Sequence, residues 1–143
     1  MQLTKHFTLQ EMIASETAAR HGFDNTPNAT QLANLVRMAE LLEEVRALLD
    51  KPIMINSAFR SKQVNDAVGS KDTSQHLLGC AADIRVPGMK PDEVCRAIMD
   101  SGLQYDQLIR EFDSWTHISV PTKEMTPRRQ ALIIDRTGTR PLG

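Results

Sequence analysis

The sequence has no charge excess of either sign. Seventeen Lys and Arg face eighteen Asp and Glu, a net of −1 with His neutral. That balance supplies no general attraction to nucleic acid or to anionic lipid. Cysteine is scarce. Cys80 and Cys95 are the two present, too few for a disulfide framework and not in a CxxC pair. Long apolar runs are missing as well. The longest, Leu77 to Ala82, holds six residues including a glycine, far short of the ~18 needed to cross a bilayer. The opening MQLTKHFTLQEM has no apolar core or small-residue cleavage site, so no signal peptide is expected. The expectation is therefore synthesis in the cytoplasm, with no stable membrane association and no nucleic-acid partner. Internal repeats, low-complexity tracts and linker-like stretches are absent too.

What is present is an ordinary globular composition, 41% apolar and 24% charged over 143 residues. A chain of roughly 150 residues can bury about two-thirds of its unfolded surface in one core. One domain over residues 1–143 is expected, with a loose tail at about residues 136–143. Thr8 and Glu11 have capping-box spacing and predict a short helix running towards Arg20. His21 to Ala29 reads as a loop. From Thr30 to Leu49, Leu32, Leu35, Val36, Ala39, Leu42, Val45 and Leu49 recur at three- and four-residue steps, which predicts a helix lying on a core. Ile53–Ile55 and Ala81–Val86 read as strands, with a short helix opened by Ser61 between them. Pro91 and Gly102 bracket a further helix. Gln107–Glu111, Trp115–Val120 and Ala131–Asp135 complete the strands. Helices first and strands later predict an α+β fold with a mostly antiparallel sheet.

The chemistry lies in three residues. His76 and Asp83 fall within Ser74-Gln75-His76-Leu77-Leu78-Gly79-Cys80-Ala81-Ala82-Asp83, and His117 falls within Trp115-Thr116-His117-Ile118-Ser119. Two imidazoles and a carboxylate form a catalytic zinc set with the fourth position left for water. Asp83 stands in an apolar strand, where an uncompensated carboxylate is costly. The competing interpretation pairs Asp83 with Arg85 and makes His117 a satisfied core histidine.

The SxHxxGxAxD element with a downstream WxH resembles the zinc D-alanyl-D-alanine carboxypeptidases and their relatives. Those include vancomycin-resistance D,D-dipeptidases, phage L-alanyl-D-glutamate endolysins and the hedgehog zinc fold. Ser57-Ala58-Phe59-Arg60-Ser61 with Asn65, and Glu111 ahead of Trp115-Thr116-His117, extend the likeness from about Leu3 to Val120. It is strongest to small phage- and prophage-encoded members, on HFTLQEMIAS and TAARHGFDNTP. The resemblance implies a hedgehog-type zinc fold, one zinc per chain held by His76, Asp83 and His117, and Arg60 receiving a substrate carboxylate or orienting a carbonyl. It implies a peptidoglycan stem peptide as substrate, with internal cleavage preferred over D,D-carboxypeptidase action. It also implies a lytic protein, monomeric, that reaches the wall after release or within a virion, with holin or virion proteins as candidate partners. A zinc-stabilised wall-binding or virion module without turnover is the alternative.

The general base is less direct. Many relatives carry an acid three residues before the last histidine, where this chain has Ser114; others carry a glutamate six before it, here Glu111. Asp113 is a further carboxylate in reach. A three-residue loop over Phe112–Ser114 would pair Glu111 with Trp115 and Ile109 with His117, turning Glu111 and His117 to one face. A two-residue loop would turn Glu111 away. Glu111 is the expected base and Asp113 the second choice. Ser74 and Trp115 are candidate substrate contacts, with a turn serine and a core indole as the alternatives. Cys80 and Cys95 are expected to pack. His6 and His21 are expected at the surface, and Lys123, Arg128 and Arg129 in a solvated basic cluster.

Overall fold

Ala29–Leu49 forms the longest element of the computed structural model, which describes residues 1–143. The Asn28 side chain accepts from Gln31 N–H and the Gln31 side chain answers at Asn28 N–H, a capping box that fixes where this helix starts. Leu35, Met38, Ala39, Leu41, Leu42 and Val45 are its buried stripe, in register with the spacing seen in the sequence. No helix is long and apolar enough to cross a membrane.

In chain order the elements are α1 (Leu9–Ile13), α2 (Glu16–His21), α3 (Ala29–Leu49), β1 (Met54–Ser57), α4 (Lys62–Ala67), a 3₁₀ turn (Gln75–Leu78), β2 (Ala81–Arg85), α5 (Pro91–Met99), β3 (Gln107–Glu111), β4 (Trp115–Ser119), β5 (Gln130–Asp135) and β6 (Gly138–Pro141). The six strands make one sheet in the order β1-β2-β4-β3-β5-β6. All neighbours are antiparallel except β3 and β5. The fold is α+β with a mostly antiparallel sheet, as expected.

Strand alternation divides the labour between the two faces. Ala82, Ile84, Leu108, Thr116 and Ile118 are buried on the face covered by α5 and α3. On that side Cys95 of α5 donates to Thr116 at 3.7 Å and Arg110 reaches Asp92 of α5 at 2.7 Å. Asp83, Ile109, Glu111 and His117 occupy the opposite face. Between Ile55 and Ser57 the β1–β2 register shifts by a bulge, directly beside Asp83.

Two expectations need correction. The helix foreseen from Thr8 towards Arg20 is two helices: Ala14 is extended (φ −60°, ψ 132°) and Ser15 caps a second start by accepting from Ala18 N–H. A second cap residue inside the run ends the first helix, because its hydroxyl competes for backbone donors. The tail expected to be loose is strand β6, held by Arg140 on Asp135 at 2.8 and 3.0 Å and anchored by buried Leu142. Its polar, wholly exposed Gly138–Pro141 segment has no apolar alternation to announce it, and Pro141 suits an edge strand. Lys123, Arg128 and Arg129 are exposed, as a solvated cluster would be, but the two arginines are also engaged by the fold. Arg128 pairs with buried Asp106, and Arg129 donates to the carbonyls of Met99, Leu103 and Ser101 while covering the Tyr105 ring at 5.0 Å.

Candidate metal centre

Backbone geometry brings His76 to the sheet. Ser74 Oγ accepts from His76 N–H at 3.2 Å and starts the 3₁₀ turn. Gly79 ends it in the left-handed region at φ +78°. A Cβ at Gly79 would lie 2.5 Å from the Gln31 carbonyl oxygen and 3.2 Å from Leu35 Cγ. Only glycine meets both the dihedral and the close approach to α3. The chain then turns straight into β2, and Asp83 arrives beside His76.

The His76 Nδ1 lies 2.5 Å from the Ala58 carbonyl oxygen. A carbonyl only accepts, so Nδ1 carries the proton and Nε2 holds the free lone pair. That Nε2 is 3.4 Å from Asp83 Oδ1. On the neighbouring strand Asp83 pairs with His117, whose Nδ1 is 2.9 Å from the same oxygen. The three ligand atoms lie within 4.8 Å of one another. Tetrahedral zinc at 2.0–2.1 Å sets its ligand atoms roughly 3.3–3.4 Å apart; the two separations at Asp83, 2.9 and 3.4 Å, lie close to that, and the donor set fits the ion in type. Burial pushes the Asp83 carboxyl up, but the His117 and His76 imidazoles beside it outweigh this and hold the group far below the ordinary carboxylate range. Asp83 therefore offers the charged form a metal requires. Arg85, its alternative partner, is exposed.

Arg60 follows β1 on a tightly held segment. Phe59 N–H donates to Met12 O at 2.8 Å, Arg60 N–H to His76 O at 3.1 Å, and Ser61 N–H to the Asn25 side chain at 2.7 Å. The Arg60 guanidinium reaches Asp83 Oδ2 and Asn65 Oδ1, both at 3.5 Å, with 15% of its side chain exposed. It borders a small pocket with Ser15 and Ser57.

The β3–β4 hairpin has the three-residue loop. Glu111 pairs with Trp115 and Ile109 with His117, and Glu111 Oε1 lies 3.9 Å from His117 Nδ1. Phe112 and Asp113 both sit at φ 52°, which closes the turn. Burial raises the Glu111 carboxyl above its ordinary value and the charge of Asp83 adds to this, against His117 and Arg60. Asp113 is turned to the other face, 3.0 Å from Arg110 Nε and largely exposed. A cleft of about 870 Å³ opens over the site face, lined among others by Ser74, Gln75, Ile109, Glu111, His117 and Arg128. Trp115 does not line it, and its indole Nε1 is buried without a partner. Both cysteines are fully buried. Burial lifts both thiols, Cys95 to about 11, so neither is a thiolate at neutral pH.

Residue spacing gave no sign of one network beside the site. Asp106, 3% exposed, accepts from Arg128 N–H (3.1 Å), Nε (3.0 Å) and Nη2 (2.7 Å), and from Gln75 Nε2 (2.9 Å). Gln75 immediately precedes His76. Partner residues this distant in sequence carry no motif; only a polar Asp106 between Tyr105 and the β3 strand hinted at a buried role. The Arg128 hydrogen bonds hold the Asp106 carboxyl below its usual value. A depressed folded-state pKa stabilises the fold above the unfolded value near ~4, and that stability is lost as pH falls through the folded value. Scanning calorimetry is expected to show a steeper fall in Tm for the wild type than for Asp106→Asn below about pH 5, from a higher neutral starting point. Parallel curves would show that Asp106 carries no such linkage.

Convergent nitrogen and carboxylate ligands, with a raised carboxyl alongside and an open cleft, are the layout of a metal-dependent hydrolase. A family model described as Peptidase M15 matches residues 5–119, and the chain belongs to that family. It is also similar to a zinc D-Ala-D-Ala carboxypeptidase of Streptomyces albus G, 46% identical over 57 residues. That segment is 39% of this chain and 22% of the Streptomyces protein, so the chain spans well under two-thirds of that relative.

Proposed function

We propose that the chain is a zinc peptidase that hydrolyses a peptide bond within the stem peptides of bacterial peptidoglycan, acting as a single-domain monomer in a phage or prophage lytic role. The observation that carries this reading is the meeting of His76, Asp83 and His117 within 4.8 Å, with Glu111 3.9 Å from His117. The substrate class draws support from the Streptomyces relative, whose name places it on D-Ala-D-Ala, and the lytic role from the N-terminal resemblance to small phage members.

His76 Nε2, Asp83 and His117 Nδ1 would hold the ion, which when bound supplies Lewis acidity toward water and the scissile carbonyl. Glu111, raised by burial and 3.9 Å from His117, would accept the proton of the attacking water and return it to the leaving amine. Ala58 O keeps His76 in the right tautomer, and Arg60 steadies Asp83 from its outer oxygen. No side chain forms a covalent intermediate in this scheme. Internal cleavage is favoured because the Arg60 guanidinium is engaged by Asp83 and Asn65 and borders a separate pocket, which leaves it poorly placed to receive a terminal carboxylate at the cut.

Digestion of purified peptidoglycan, with mass analysis of the released fragments, tests the proposal. Fragments cut inside the stem are the expected products. Release of terminal D-alanine alone would overturn internal cleavage, and binding without any product would replace the enzyme by a wall-recognition module.

A further inference from the structure

We propose that Arg128 is a specificity residue: held rigid by Asp106 at the end of the cleft remote from Glu111, it receives a carboxylate of the substrate three to four residues from the bond that is cut. This rests on the reading of the cleft as the peptide site and adds to it a second recognition point on a stretch of chain beyond Ser119, the last residue of β4 and of the matched family segment.

The argument begins with the donor count. A guanidinium carries five N–H groups. Asp106 takes Nε and Nη2, at 3.0 and 2.7 Å, and the Arg128 backbone N–H besides. Nη1 makes no hydrogen bond within the chain, and 55% of the side chain is exposed. The group is thus fixed in orientation by a buried carboxylate without having its donors used up. A surface arginine serving only as the partner of Asp106 has no need to border a cleft. Arg128 does, in a lining that also includes Lys71, Gln75 and Gln107.

Strand geometry sets the distance. Gln107 and Glu111 stand at the two ends of β3 and both line the cleft. Four residues of strand span about 13 Å. Arg128 sits at the Gln107 end, because its backbone N–H binds Asp106 and Gln130 of the next strand pairs with Gln107. An extended peptide covers ~3.3–3.6 Å per residue, so a ligand with its scissile bond near Glu111 brings a group about four residues away to Arg128. A carboxylate there meets a fork already ordered, so little side-chain entropy is lost on binding.

Zinc-loaded full-length Glu111→Gln protein gives a binding readout that does not depend on turnover. Two stem-type peptides serve as probes, identical except that the remote carboxylate of one is an amide. Calorimetry is expected to show the acid binding about 10–100-fold more tightly, the usual worth of charge-assisted hydrogen bonds. Adding Arg128→Gln should reduce that ratio to within about threefold, while zinc content is unchanged. Arg128→Lys, which keeps a cation opposite Asp106 and protects the fold, should retain only part of the preference. An acid preference that survives Arg128→Gln, or that disappears on Arg60→Gln instead, would overturn the assignment. So would equal weakening of both peptides. Tight, acid-selective binding together with no hydrolysis by wild type would sink the peptidase reading and leave the Arg128 site standing.

Discussion

Glu111→Ala is expected to lower hydrolysis of peptidoglycan peptides by roughly 10²–10⁴, the usual worth of a positioned general base, with zinc content and fold retained. The register argues for this residue. Pairing of Ile109 with His117 and of Glu111 with Trp115 turns both carboxylate and imidazole to the cleft face. Asp113, in the loop, is turned away and sits against Arg110. Asp113→Ala should therefore leave turnover within a few-fold of wild type, roughly the effect of a surface change. Glu111 contacts the zinc set only through His117, at 3.9 Å, so its loss removes no ligand. Steady-state kinetics on a defined stem peptide, with zinc measured on the same samples, separates the outcomes. A larger loss for Asp113→Ala than for Glu111→Ala would move the base to Asp113.

Removal of the ligands has a different signature. His76→Ala and Asp83→Ala should each lose bound zinc and, with it, the thermal stability that zinc confers. A ligand held only by the folded state stabilises it by about 4 kcal/mol at a thousandfold excess over Kd, which is roughly 10–15 °C in Tm for a chain of this size. The same increment should vanish from the wild type in chelator and return with added zinc. His6→Ala serves as the control: that imidazole pairs with Glu43 and is no member of the His76, Asp83 and His117 group, so zinc binding should be unaffected. Full zinc occupancy in the His76→Ala, Asp83→Ala double variant would be incompatible with these ligands.

Much of this was legible before folding, for reasons that differ by residue. The α3 stripe could be read because one helix face is buried along its whole length, and the 3.6-residue period records that. Asp83 and His117 stood out because a charged or polar group in an apolar strand needs compensation. Gly79 was legible as part of the SxHxxGxAxD element, but its close approach to the Gln31 carbonyl was not. The pairing of exposed Arg128 with Asp106 was not legible, because the two lie 22 residues apart and no short-range pattern connects them. The break at Ala14 and the β6 strand were missed because each is decided by a few polar contacts rather than by burial of a periodic face.

The sequence by itself determined the α+β class, the positions of the main strands and helices, and the ligand types that a metal would meet. These depend on local periodicity and on residue chemistry, both carried by the order of side chains. Only the tertiary structure decided the hairpin register that separates Glu111 from Asp113, the tautomer of His76, the engagement of Arg60 by Asp83, and the partnership of Arg128 with Asp106. Each of those depends on atoms far apart in the chain coming within hydrogen-bond reach. That proximity is set by the packing of the whole sheet and its helices, and no local stretch of sequence encodes it.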